Sequence, residues 1–195
     1  MFESLARKCR SYRRYDESFQ LSAADMKSLI SITRYAGCAG NKQIVRYMTL
    51  CNPNHTDAIF PCLSWAGYLN DWDAPEAGER PSGYVLVLIP EGAHRYAVFD
   101  AALAVQTILL YAVEWGLGGC IIGSVDRKRL SDVFLIPKPY LVEVVVAIGK
   151  PRETIVLENA NSGNLCYWRD SSDIHHVPKL SIDTLIIPTR LRNET

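Results

Sequence analysis

Apolar and polar positions fall along this chain in segments of two different periods, and the period assigns each segment. Residues 2–8 read as a short helix leading into Cys9-Arg10-Ser11-Tyr12-Arg13-Arg14. Ser22 precedes a run in which Met26, Leu29, Ile30 and Thr33 recur at helical spacing, so a helix is predicted there with Ser22 as its N-cap. Gly37 ends it, and residues 36–41 form a loop. Residues 44–50, rich in β-branched and aromatic side chains, read as a strand. A second helix is predicted over 57–69, irregular at Pro61, followed by a Pro-, Gly- and Asp-rich loop over 70–83. Residues 84–90 are apolar without a break, the pattern of a strand buried on both faces.

Residues 95–117 give the longest predicted helix. It is apolar almost all round, which places it in the interior or against a partner chain. Gly116 or Gly118 stops it by taking positive φ. A strand over 120–125, a short helix over 126–134, a turn at Pro137 and Pro139 and a buried strand over 140–149 follow. After about residue 153 the chain turns polar and irregular, with Leu185-Ile186-Ile187 as a last apolar patch. Helices and strands mix without βαβ alternation, so an α+β layered domain is expected. Residues 1–195 read as one domain, with 153–195 as a C-terminal arm, too poor in apolar residues for its own core, that packs on a partner subunit.

Composition narrows the function classes. The 195 residues carry 21 Lys+Arg against 21 Asp+Glu, and 48% are hydrophobic. That composition excludes disorder, and the balanced charge argues against a nucleic-acid footprint. The N-terminal residues contain no apolar run, and the longest apolar stretch, between Asp100 and Glu114, falls short of the ~20 residues of a membrane span. The six cysteines show no CxxC pair, as expected of reduced thiols in the cytoplasm. His175 and His176 are adjacent, with no Cys or carboxylate at ligand spacing, so no metal site is expected.

Four segments carry candidate chemistry. In Arg10-Ser11-Tyr12-Arg13-Arg14, Arg10 and Arg13 with Ser11 between them can converge on one phosphate; the alternative is a solvated basic turn. Gly37-Cys38-Ala39-Gly40-Asn41-Lys42-Gln43 offers small residues for close backbone approach to a planar ligand, and the amides of Asn41 and Gln43 suit a heterocycle's polar edge. The alternative there is a helix-to-strand turn with Asn41 left-handed. Gly116-Leu117-Gly118-Gly119-Cys120-Ile121-Ile122-Gly123-Ser124 fails as a dinucleotide fingerprint in both spacing and order, and leaves a Gly-lined strand end whose N–H groups can face a ligand. Tyr167-Trp168-Arg169-Asp170 and His175-His176 show no partner for nucleophilic catalysis, which favours packing and surface roles. A phosphate clamp, a polar-edged pocket and a glycine face without an acid/base pair are what an FMN site needs, because the cofactor carries the redox chemistry.

Taken in order, CRSYRRYDES, AGCAGNKQIVRYMTL, SWAGYL with GERPSGYVLVL, DAALAVQTILLYAVEWGLGGCIIGSV, IPKPYLVEVVVAIGKPRE and YWRDSSDIHHVPK resemble the nitroreductase family of FMN-dependent NAD(P)H oxidoreductases over nearly the whole chain. The resemblance implies a three-layer α/β/α fold with a central mixed, mainly antiparallel sheet, and a domain-swapped homodimer with two FMN sites in its interface. It implies ping-pong hydride transfer through flavin N5, from NADH or NADPH to nitroaromatic, quinone or flavin-type acceptors, with no catalytic side chain. Short length in the middle favours a plain reductase over a specialised dehydrogenase or dehalogenase-like branch, and an FMN storage or sensing protein is the alternative outside enzymes. By position, Arg10, Ser11 and Arg13 match phosphate and ribityl contacts. Gly37, Cys38, Ala39, Asn41 and Gln43 match the loop that crosses from the second subunit to the flavin, Ile122, Gly123 and Ser124 the segment facing N5, and Lys179 a basic residue near the phosphate. The chain departs from the pattern at Cys9, where an Arg is common; at Gly37-Cys38, in place of Pro-Ser; at Ser64, where a Lys is frequent; and at Leu180, where an Arg is usual. Arg152 is the candidate to compensate for Leu180.

Overall fold

A computed structural model describes residues 1–160 and 163–189. The last six residues of the predicted arm, 190–195, lie outside the described residues, as do 161–162. Four strands form one sheet in the order β1–β2–β4–β3: β1 (Arg46–Leu50), β2 (Gly83–Pro90), β3 (Gly118–Ile122) and β4 (Tyr140–Gly149). All three pairings are antiparallel, and a parallel bridge joins Ser11 to Gly119 at the outer edge of β3.

Strand alternation divides the core into two. Val85 and Val87 of β2, with Val146 and Ile148 of β4, face the helices α2 (Ala23–Ser31) and α4 (Ala97–Glu114). Tyr84, Leu86 and Leu88, with Val145 and Ala147, face the other side, where Ile59 of α3 (Pro53–Ile59) and Leu130 of α5 (Arg127–Val133) pack. Each fully buried aliphatic side chain of this kind contributes ~1.5–3 kcal/mol. The ladder skips one residue between Val87 and Leu88, so that Glu143 is extra on β4 and Val142 joins the face of Val145. Arg127 donates to the carbonyls of Val142 (3.0 Å) and Glu143 (2.8 Å), which satisfies the backbone at this bulge.

Helix ends follow from local chemistry. Ser22 and Asp25 form a reciprocal capping box at α2. The helix predicted over 57–69 instead occupies 53–59: Pro53 sits at its first turn, Asn52 caps it, and Pro61 turns the chain into a 3-10 turn over Phe60–Cys62. Gly116, at φ +70, stops α4. By length and composition α4 could cross a membrane, but its Ala101, Ala104, Val105, Ile108 and Ala112 face lies on the sheet, as in a core helix, while Val98, Phe99 and Leu103 are exposed.

The polar segment after residue 153 is more ordered than its composition suggests. β5 (Ile155–Asn159), β6 (Trp168–Arg169) and β7 (His175–Lys179) form a small second sheet in the order β5–β7–β6, with β5 and β7 parallel. It packs on its own chain, where the His175 ring meets Arg13 and the Arg169 guanidinium meets Glu153, so residues 155–179 are not a free arm. α6 (Ile182–Leu185) and the residues after it, to Thr189, expose Ile182, Leu185, Ile186 and Ile187.

Candidate functional site

The N-terminal segment is held along β3 by backbone bonds. The Tyr12 N–H donates to the Gly119 carbonyl at 3.0 Å, Asp16 N–H to Lys150 and Arg152 N–H to Arg14. Tyr15 is fully buried and its hydroxyl donates to the Tyr12 carbonyl at 2.5 Å. This docking needs glycine: a Cβ at Gly118 would lie 2.3 Å from the Tyr12 ring. Gly118 and Gly119 therefore serve packing, not a ligand.

The docked segment presents Arg10, Ser11 and Arg13 to a cleft of about 260 Å³, closed by Ile121, His175 and Lys179. Arg10 donates to the Ala6 carbonyl (2.8 Å) and Arg13 to the Ser11 carbonyl (3.2 Å), yet the buried Nε of each has no partner. Arg13, Ile121 and Tyr167 also line the adjoining cleft of about 240 Å³, which runs past Ile122, Gly123 and Ser124 to a wall of Ser64–Gly67. The Ser64 N–H donates to the Ser124 carbonyl at 3.0 Å and fixes that wall. A Cβ built at Gly123 meets nothing within 4 Å, so the backbone there faces open space. Arg10, Ser11, Arg13, Ile122, Gly123, Ser124 and Lys179 thus share one groove.

The structure does not bring the remaining predicted residues into that groove. Gly37, Cys38, Asn41 and Gln43 line a separate pocket of about 230 Å³ near the start of α4. The Ala39 N–H donates to Asp100 Oδ1 at 2.8 Å, and Asp100 is 4% exposed. Gln43 donates from its backbone to Cys38 Sγ (3.3 Å) and from its side chain to Asn41 Oδ1 (3.0 Å). Gly40, Asn41 and Gln43 all take positive φ, so the turn reading of this segment also holds. Arg152 lines a different pocket, with Arg14 and Glu79, and does not replace the cation missing at Leu180. Cys9 lies in the first cleft, where Gln106 donates to its Sγ at 3.5 Å and burial raises its thiol pKa.

Tyr167 and His175, beyond the predicted site residues, line the groove, and Glu153 supports it from outside. Glu153, with 2% of its side chain exposed, accepts from the backbone N–H groups of Arg13 and Arg14 and from the Arg169 guanidinium (2.9 Å). Tyr167 lies under Arg13, whose Cζ is 4.7 Å from the ring centroid. His175, 1% exposed, has Nε2 3.4 Å from Arg13 Nη1 and an unpartnered Nδ1. Burial, then the charges of Arg13 and Arg169, push its pKa down to about 4, so it is neutral at physiological pH. Burial works to lower His176 too, but bonds to Glu158 (3.1 Å) and Asp170 (3.4 Å) outweigh it and raise its pKa. Among the described residues no cluster suits a metal ion.

His175 gives a pH signature. Unfolded, it takes up its proton near its ordinary value of 6.5, and folded only near 4, so the unfolded chain binds more protons in between. Stability is expected to fall as the pH drops through that window. His176, with a raised value, already contributes fully below 6.5 and does not mask the effect. His175→Asn should flatten this limb in thermal melts of the flavin-free protein; an unchanged slope would remove His175 from the account.

The model described as the nitroreductase family matches residues 6–150, which include the N-terminal segment, the 37–43 loop and β3 but not Lys179. Solved structures share the fold. An FMN-dependent nitroreductase from Clostridium difficile R20291 has 17% identity and a TM-score of 0.63, covering 82% of this chain and 91% of that one. CLA-ER, an enone reductase of gut-bacterial fatty acid saturation, has 16% identity and a TM-score of 0.66, covering 83% and 93%. A structure from Exiguobacterium sibiricum 255-15, solved in complex with FMN, has 17% identity and a TM-score of 0.61, covering 77% and 88%. No curated protein sequence matches the chain.

Proposed function

Since the chain belongs to the nitroreductase family of FMN-dependent oxidoreductases, we propose that it reduces nitroaromatic, quinone or flavin-type acceptors with NADH or NADPH, at an FMN held over β3. The observation that carries the reading is the polarity of the groove. Two buried guanidinium N–H groups without partners stand at one end, and an unobstructed glycine backbone stands at the other. The first end fits a phosphate and the second a flat ring.

Arg10, Ser11, Arg13 and Lys179 would hold the phosphate and ribityl chain, and Ile122, Gly123 and Ser124 would lie along the ring. FMN, when bound, would supply the redox chemistry, hydride transfer through N5 between donor and acceptor. The protein's part is to bind and orient. Trp65 and Tyr167 line the groove beside Gly123, and donor and acceptor would enter it in turn, as the ping-pong cycle implied by the family resemblance requires. Gly37, Cys38, Ala39, Asn41 and Gln43 would come from the second copy of a homodimer, because on one chain Gly37, Cys38, Asn41 and Gln43 line a different pocket and the Ala39 N–H is bonded to Asp100. Apolar exposure at Val98, Phe99 and Leu103 of α4, and at Ile182, Leu185 and Ile186 of the arm, supports that assembly. The six cysteines are all free, in keeping with a cytoplasmic site of action.

The visible spectrum of the purified protein tests the reading. A flavin band bleached by NADH or NADPH and restored by a quinone is expected. A colourless protein that gains no flavin on incubation overturns it, and bound FMN that neither donor reduces within minutes points to storage instead. Arg13→Ala is expected to weaken FMN binding by about 2 kcal/mol, the scale of a charge-assisted hydrogen bond. Fluorescence titration of the flavin-free protein measures it, and unchanged affinity would exclude Arg13 from the clamp.

A further inference from the structure

A second cleft, of about 410 Å³, lies on the other side of the groove's wall. Neighbours in the chain divide between the two. Arg13, Gly67 and Tyr167 line the groove, and Arg14, Tyr68 and Trp168 line the cleft. The Tyr68 and Tyr167 rings meet edge-on at 5.0 Å and form the rim between them. A ligand with two ring systems can therefore rest one in the groove and carry the other over this rim.

The cleft is built for a flat nitrogen heterocycle. Trp72 carries the Arg169 guanidinium over one face at 4.7 Å, and Trp168, 44% exposed, stacks one face on His176 at 4.1 Å. Each ring has used one face, and an aromatic backed by a cation favours an electron-rich partner on the other. Trp72 Nε1 and Arg169 Nε are donors without partners, while Asn70, Asp71 and Asp173 supply acceptors. Ring nitrogens beside an exocyclic amine satisfy both sets, and adenine has that arrangement. Charge then selects among adenine nucleotides. Arg14 is held by Glu79 and Asp173 (3.0 Å each) and Arg169 by Glu153 (2.9 Å), whereas Asp71 has no ion pair among the described residues. Among the described residues that line the cleft, no arginine is left unpaired for a ribose 2′-phosphate, and the Asp71 carboxylate opposes one while suiting a 2′-hydroxyl.

We propose that this cleft holds the adenosine half of the electron donor and makes the enzyme selective for NADH over NADPH. The inference rests on the reductase reading above, which supplies the nicotinamide end. Two measurements test it. In steady-state assays the holoenzyme should show a KM for NADH about tenfold or more below that for reduced nicotinamide mononucleotide, a factor on the scale of losing one base–aromatic stack. Trp168→Ala should erase that advantage by raising the NADH KM, leaving kcat and both constants for the truncated donor unchanged. Asp71→Lys, on an exposed loop where folding is not at stake, should narrow the gap between NADH and NADPH. Calorimetric titration with ADP-ribose, which needs no flavin, should show binding to the wild-type protein that is weakened in Trp168→Ala. Equal KM values for the full and truncated donors, or no heat with ADP-ribose, would overturn the proposal. Failure of every donor to reduce bound flavin would instead strike the reductase reading, with the ADP-ribose titration still deciding this one.

Discussion

Glu153→Ala is expected to destabilise the protein by about 3–5 kcal/mol, the cost of removing one partner from a buried ion pair. The Glu153 side chain is 2% exposed and that of Arg169 10% exposed, so neither charge can turn to water when the other is lost. The same carboxylate accepts from the Arg13 and Arg14 N–H groups, and these would be left with no acceptor. Glu153→Gln keeps an oxygen for those N–H groups and loses only the charge, so it should cost clearly less. Urea unfolding of both flavin-free variants separates the two contributions. Equal, small losses in both would mean that water reaches Arg169 and that Glu153 is not the hub joining the second sheet to the N-terminal segment.

That hub was not legible in the sequence, and the reason is distance along the chain. Glu153 bonds backbone 139 and 140 residues away, and no local pattern announces such a partner. His175 and Tyr167 were singled out but read as packing and surface residues for the same reason, since their place in the groove comes from Arg13 lying against both. Features set by near neighbours were legible. The Ser22 cap, the buried β2 run and a glycine stop at 116 or 118, which falls at Gly116, follow from spacing, propensity and positive φ. The helix misplaced onto 57–69 shows the limit: Asn52-Pro53 is a helix start, but the polar Asn54-His55-Thr56-Asp57 that follow hide it, and the apolar run begins only at Ala58. The order hidden in 155–179 shows another, because that sheet borrows its core from the N-terminal segment and so does not need one of its own.

Gly119→Ala is expected to cost about 3 kcal/mol, the upper part of the range for overpacking a well-filled core, and to lower FMN affinity at the same time. A Cβ there would stand 2.5 Å from the Ala147 carbonyl oxygen and 2.6 Å from Leu109 Cδ2. The leucine can turn aside, but the oxygen belongs to β4, and moving it breaks the ladder that pairs Gly119 with Ile148. The Gly119 carbonyl also receives the Tyr12 N–H, so any shift of β3 displaces the segment that presents Arg10, Ser11 and Arg13. Gly123→Ala makes the opposite case. Its Cβ meets nothing within 4 Å and its φ is not positive, so stability should change by no more than ~0.5 kcal/mol. Affinity for FMN should still fall, because the new methyl would occupy the space through which the backbone faces the ring. Melting curves with and without FMN distinguish the two glycines: Gly119→Ala should lower both, and Gly123→Ala only the flavin-dependent increment. Were Gly123→Ala to bind FMN as tightly as the wild type, the ring would have to lie elsewhere in the groove, even though the arginines still hold the phosphate.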